Sequence, residues 1–165
     1  MSFALPTSPV PQSLQTFALF LVAMLGGVRV GVAAVIGYCI IGAAGAPVFA
    51  DGAAGWQHAS GASAGYLLGF IASAAMVGLA ADRGHCNSII GAFTWGLLGH
   101  AVVLFVGWIG LLRYVGGIEA WQRGVSPFGD GAVAKSLILA LVVPLLLLVV
   151  SRRRRAASSE SGYDE

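Results

Sequence analysis

Five apolar stretches, parted by short breaks rich in glycine, proline and charge, organise this chain. They run from about Leu14 to Gly27, Val30 to Ala44, Ala62 to Ala81, Ser88 to Leu112 and Ala132 to Val150. The breaks are Gly26-Gly27-Val28-Arg29, a glycine-rich loop from Asp51 to Gly61 beyond Pro47, the polar run Asp82 to Asn87, and a mixed segment from Arg113 to Gly131. Apolar runs of this kind predict helices, because in lipid a backbone must satisfy its own hydrogen bonds. A spanning helix needs about 20 residues, so the first two stretches predict short, tilted or partly buried spans. Glu119, Trp121 and Arg123 in the mixed segment predict a short amphipathic helix lying at the interface.

Composition agrees with the pattern. Of 165 residues 58% are hydrophobic and 10% charged, against about 25% charged in soluble domains. Too few charges remain to coat a water-facing surface. The 24 glycines suit membrane helices that pack through small residues. The expected fold is therefore an all-α integral membrane protein, a compact bundle of about five transmembrane helices with a short interfacial helix. Three parts are expected: an extracellular N-terminal segment 1–13, a transmembrane domain 14–150, and a basic, then disordered, cytoplasmic tail 151–165. Residues 1–13 lack the positive charge of a secretory signal and carry Pro6, Pro9 and Pro11. Cys39 and Cys86 imply no disulfide framework.

The cluster Arg152 to Arg155 follows the last span and places the C-terminus in the cytoplasm of a plasma-membrane protein. Alternation through five spans then puts Arg29 and Arg83 inside as well, and Arg113, Arg123 and Lys135 outside. The outer side gathers Asp51, Trp56, Gln57, His58, Ser60, Ser63, Asp130 and Lys135. Tyr66 and Phe70, four apart and so on one helix face, lie just below. These residues predict a pocket with aromatic walls and a few polar groups at its rim. Lys135 is the one lysine of the chain. Its position admits two readings, a cation snorkelling to the interface or part of a site that holds an anion. Gly65 and Gly69 read as helix packing.

No enzyme is indicated: the sequence has no nucleotide-binding loop and no nucleophile–base constellation. His58, His85 and His100 fall in different segments and show no metal-ligand spacing, so neither metal nor cofactor is expected. Nothing points to nucleic acid.

Five strings, in order and spacing, resemble the BioY family of biotin transporters. They are Pro9-Val10-Pro11-Gln12-Ser13-Leu14-Gln15-Thr16, Gly45-Ala46-Pro47-Val48-Phe49-Ala50, Gly65-Tyr66-Leu67-Leu68-Gly69-Phe70, Leu98-Gly99-His100 and Val125-Ser126-Pro127-Phe128. The resemblance implies the substrate-binding S component of an energy-coupling-factor transporter. Such a protein captures biotin from the outer face for import with a membrane scaffold and ATPase subunits. It implies Lys135, Asp130, Tyr66, Phe49 and Phe70 as ligand-site residues. The lysine holds one end of biotin, the aromatic residues wall it, and Asp130 accepts from the ureido N–H groups. Where the family motif reads Pro-Phe-x-Pro-Gly-Asp-x-x-Lys, this chain has Ala132 at the aspartate and Asp130 two residues earlier. The Gly-Pro-Thr-Gly-Gly-Tyr of the family is Gly61-Ala62-Ser63-Ala64-Gly65-Tyr66 here. The family usually has six helices, and the one before the Pro-Val-Pro string is expected to be missing. The alternatives are a non-transporting or degenerate membrane paralogue, and an S component for another small vitamin-like solute.

Overall fold

The computed structural model describes the backbone of residues 2–3 and 12–161 and the side chains of 14–151. Most of segment 1–13 thus lies outside the described residues. Its two short pieces, β1 (Ser2–Phe3) and β2 (Gln12–Ser13), pair antiparallel. The helices are α1 (Gln15–Ala43), α2 (Trp56–Ser60), α3 (Ala64–Asp82), α4 (Ile89–Leu111), α5 (Gly117–Gly124) and α6 (Gly129–Ser161). Among the described residues four stretches, Gln15–Ala43, Ala64–Asp82, Ile89–Leu111 and Gly117–Ser151, are long and apolar enough to cross a membrane.

The first of these is two limbs. At Gly27 the backbone takes φ 77° and ψ −174°, a region essentially reserved for glycine. The chain doubles back there. A Cβ built on Gly31 would lie 2.7 Å from that of Ala23, whereas eight residues of straight helix rise about 12 Å. The break expected at Gly26 to Arg29 is thus a turn of a single residue. Asp82, at the end of α3, makes it possible: its carboxylate accepts the Val28 N–H at 3.1 Å. That supplies the missing cap of the second limb and places a negative charge at its positive end. At the far end of the hairpin Gln15 Nε2 donates to the Val48 carbonyl at 3.0 Å. The limbs, 15–26 and 28–43, are roughly 18 and 24 Å long at 1.5 Å per residue, the short spans that their lengths predicted.

Counting both limbs of α1, the described residues form five spans. α3 packs against α1 on one side and α4 on the other, and α6 closes on α4. Phe20, Val35, Val77, Leu139 and Val143 are fully buried between them. Backbones nearly touch where α3 crosses α4: a Cβ on Gly65 would sit 2.9 Å from Gly110 Cα, and one on Gly69 3.0 Å from Val103 Cα. The small pair is therefore the α3–α4 contact. The outside of the bundle is apolar, with Ile40, Leu68, Ile90, Phe105, Leu141 and Leu145 exposed. Water would not tolerate such a surface on every helix, whereas lipid does. The protein is a membrane protein.

Two boundaries differ from expectation. α5 is the amphipathic helix, only 117–124, with an exposed Glu119–Arg123 ion pair at 2.7 Å on its surface. α6 begins at Gly129 and continues through the arginines to Ser161, where the sequence suggested a disordered tail. Arginine and alanine are good helix formers and extend a helix already begun. Gly162 to Glu165 lie outside the described residues.

Candidate functional site

A cavity of about 530 Å³ opens at the end of the bundle where α1 begins, α3 and α6 start, and α4 finishes. Phe49, Tyr66, Phe70 and Lys135 all line it. Asp130 does not; it is exposed on the first turn of α6. Helical phase explains the difference. Five residues of helix rotate about 140°, which separates Asp130 from Lys135, while three residues bring position 132 back to the lysine's face. Ala132 does line the cavity, so the side chain that α6 presents one turn before Lys135 is a methyl group.

The walls are aromatic and each ring is held. Phe49, at the end of a loop, lies against Gly42, where any side chain would collide with it. It meets Tyr38 edge-on at 5.5 Å and stacks on His58 at 5.3 Å. His58 is within 3.1 Å of Ser63 Oγ, and Tyr38 also reaches Phe70 at 6.4 Å. The Tyr66 ring lies over Gly107, and its hydroxyl donates to the Gly124 carbonyl at 2.9 Å. That bond ties α3 to the end of α5.

Three helices build a polar patch in the wall beside Lys135. Lys135 is only 9% exposed. Its ammonium donates to Thr16 Oγ1 at 3.4 Å. The same hydroxyl is 3.2 Å from His100 Nε2. His100 Nδ1 lies 2.8 Å from the Gly96 carbonyl and 3.3 Å from Ser136 Oγ, and Ser136 donates to the Ala132 carbonyl at 2.7 Å. Phe20 packs edge-on against the imidazole at 4.8 Å. Among the described residues the one ion pair is Glu119–Arg123, and no carboxylate lies within ion-pair distance of Lys135. A buried cation without a counter-charge is costly, and here it faces an open, largely apolar cavity.

The sequence model of the BioY family matches residues 1–152. The chain belongs to the BioY family. Among BioY relatives it is 35% identical over 144 residues to the "Biotin transporter BioY" of Thermotoga maritima, covering 84% of this chain and 82% of that one. To the "Probable biotin transporter BioY" of Pyrococcus horikoshii it is 32% identical over 134 residues, 81% and 78% of the two chains. The fold matches the crystal structure of the S-component for biotin from an ECF-type ABC transporter, with a TM-score of 0.75 at 22% identity over 88% of this chain and 79% of that one. Thr16 and His100 lie within two of the BioY-like strings, which is the signal that could have drawn attention to them. Tyr38 carried no such signal; it enters the wall only because α1 doubles back.

Proposed function

We propose that this chain is the membrane-embedded biotin-binding component of a vitamin uptake transporter. The observation that carries the reading is the buried Lys135, with no carboxylate in ion-pair distance among the described residues, facing an aromatic-walled cavity in a BioY chain. The named relatives are biotin transporters, which places the chain among carriers rather than enzymes. Biotin has a carboxylate tail, an apolar thiophane ring and a neutral ureido group. Phe49, Phe70 and the ring of Tyr66 flank its apolar body. The Tyr66 hydroxyl is committed to Gly124, so its proton is not spent on ligand. Lys135 donates to an acceptor oxygen of biotin, and Asp130 stays outside the contact shell. The cavity faces outward and the arginine-rich end of α6 lies in the cytoplasm, in keeping with the positive-inside rule. With no nucleotide loop of its own, the chain relies on a scaffold and ATPase subunits of the energy-coupling-factor type to drive import.

Equilibrium binding of labelled biotin to the purified, detergent-solubilised protein tests this. Saturable binding is expected. Lys135→Ala should weaken it roughly ten- to hundredfold, the range for a lost hydrogen bond to a charged group. No complex at micromolar biotin would refute the reading, and unchanged affinity in Lys135→Ala would remove the lysine from the site.

A further inference from the structure

The polar patch contains more than the lysine needs for burial. Lysine is purely a donor, so at the 3.4 Å contact Thr16 Oγ1 must accept. The Thr16 proton is then free to go elsewhere, and the nearest acceptor is His100 Nε2 at 3.2 Å. The other ring nitrogen decides whether that is allowed. His100 Nδ1 is 2.8 Å from the Gly96 carbonyl, which can only accept, so Nδ1 carries the hydrogen. In a neutral imidazole Nε2 is then a lone pair. Ser136 spends its proton on the Ala132 carbonyl and offers its oxygen to the same Nδ1–H. The bonds therefore run one way, from Lys135 through Thr16 to His100, and end on the Gly96 carbonyl of α4 and, through Ser136, on the Ala132 carbonyl of α6.

We infer that Thr16 and His100 are positioning residues, a directional relay that aims the Lys135 ammonium into the cavity. The relay spans α1, α4 and α6, so it also sets the lysine by the mutual placement of three helices. It rests on the reading of Lys135 as a ligand donor. Thr16→Val has nearly the shape of threonine but can neither accept nor donate. His100→Phe keeps a ring against Phe20 and loses both nitrogens.

Two measurements test the relay. The first is biotin affinity. Thr16→Val and His100→Phe should each weaken binding about tenfold, Thr16→Ser should recover most of it, and the double variant should be no worse than either single one. Independent contacts of Thr16 and His100 with ligand would instead multiply to about a hundredfold. The second needs no ligand. Lys135 is the only lysine, so protein labelled with ¹⁵Nζ-lysine gives a single side-chain signal. Thr16→Val and His100→Phe should both shift that signal, and Thr16→Ser should not. Melting temperatures of the ligand-free variants separate unfolding from displacement of the lysine. A signal unmoved by Thr16→Val, or multiplied losses in the double variant, overturns the relay. Absence of biotin binding by the wild type overturns the function proposed above, and the lysine signal still decides the relay.

Discussion

Gly27→Ala distinguishes a hairpin from a long helix by the sign of its effect. In the structure a Cβ at residue 27 would overlap the Asp82 carboxylate, and the backbone would have to hold φ 77°. Forcing a non-glycine residue into that region costs about 1–3 kcal/mol. Displacing Asp82 from the Val28 N–H loses a helix cap worth about 1 kcal/mol. Together the loss is roughly 2–4 kcal/mol, and a protein of this length falls by about 2–4 °C per kcal/mol. Thermal unfolding in detergent should therefore show a drop of roughly 4–16 °C. If residues 15–43 formed one straight helix, alanine would be the better residue by about 1 kcal/mol and the variant would melt higher. Adding Asp82→Ala should cost less in the Gly27→Ala background than in the wild type, because the overlap and the cap are then removed together. A Gly27→Ala protein that melts at or above the wild type would refute the reversal, and with it the route by which Tyr38 joins the cavity wall.

Lys135→Ala should be assayed with biotin and with its methyl ester: a loss confined to the acid assigns the lysine to the carboxylate, and equal losses assign it to the ureido oxygen. Tyr66→Phe leaves the Gly124 carbonyl without its donor and should lower the melting temperature by about 2–4 °C, the effect of about 1 kcal/mol; an unchanged value would mean that α5 is not held by this bond. Cys86 lies in the turn after α3, and burial pushes its thiol up to about 11. In a Cys39→Ala background at pH 8 only about one thiol in a thousand is then thiolate, so maleimide should react slowly until detergent denaturation; rapid labelling of the native protein would contradict the burial.

The spans were legible because length and apolarity are local properties, and the Gly26-Gly27-Val28-Arg29 break announced where one limb ends. What makes that break a one-residue turn was not legible, since Asp82 acts on Val28 from 54 residues away. At the site, Lys135 stood out because an isolated cation in an apolar stretch is rare. Thr16 and His100 are ordinary residues that acquire meaning only where three helices meet. Asp130 shows the opposite case. It lies close to Lys135 along the chain, yet the helix begins at Gly129, and once that start is known its phase carries Asp130 off the lysine's face and brings Ala132 onto it.

The turn at Gly27 has a further consequence for manipulating the molecule. It holds no spare residue, and the α3 backbone at Gly78 presses directly on Val28. At the cavity end the connections are long and exposed, around Asp51 to Gly52 and Gly116 to Gly117. Tolerance to inserted sequence should be sharply polar along the bundle axis. An epitope or a protease site is better spliced into the exposed loops around the cavity mouth. The opposite end works as a rivet, in which even one added residue would put the two limbs of α1 out of register with each other.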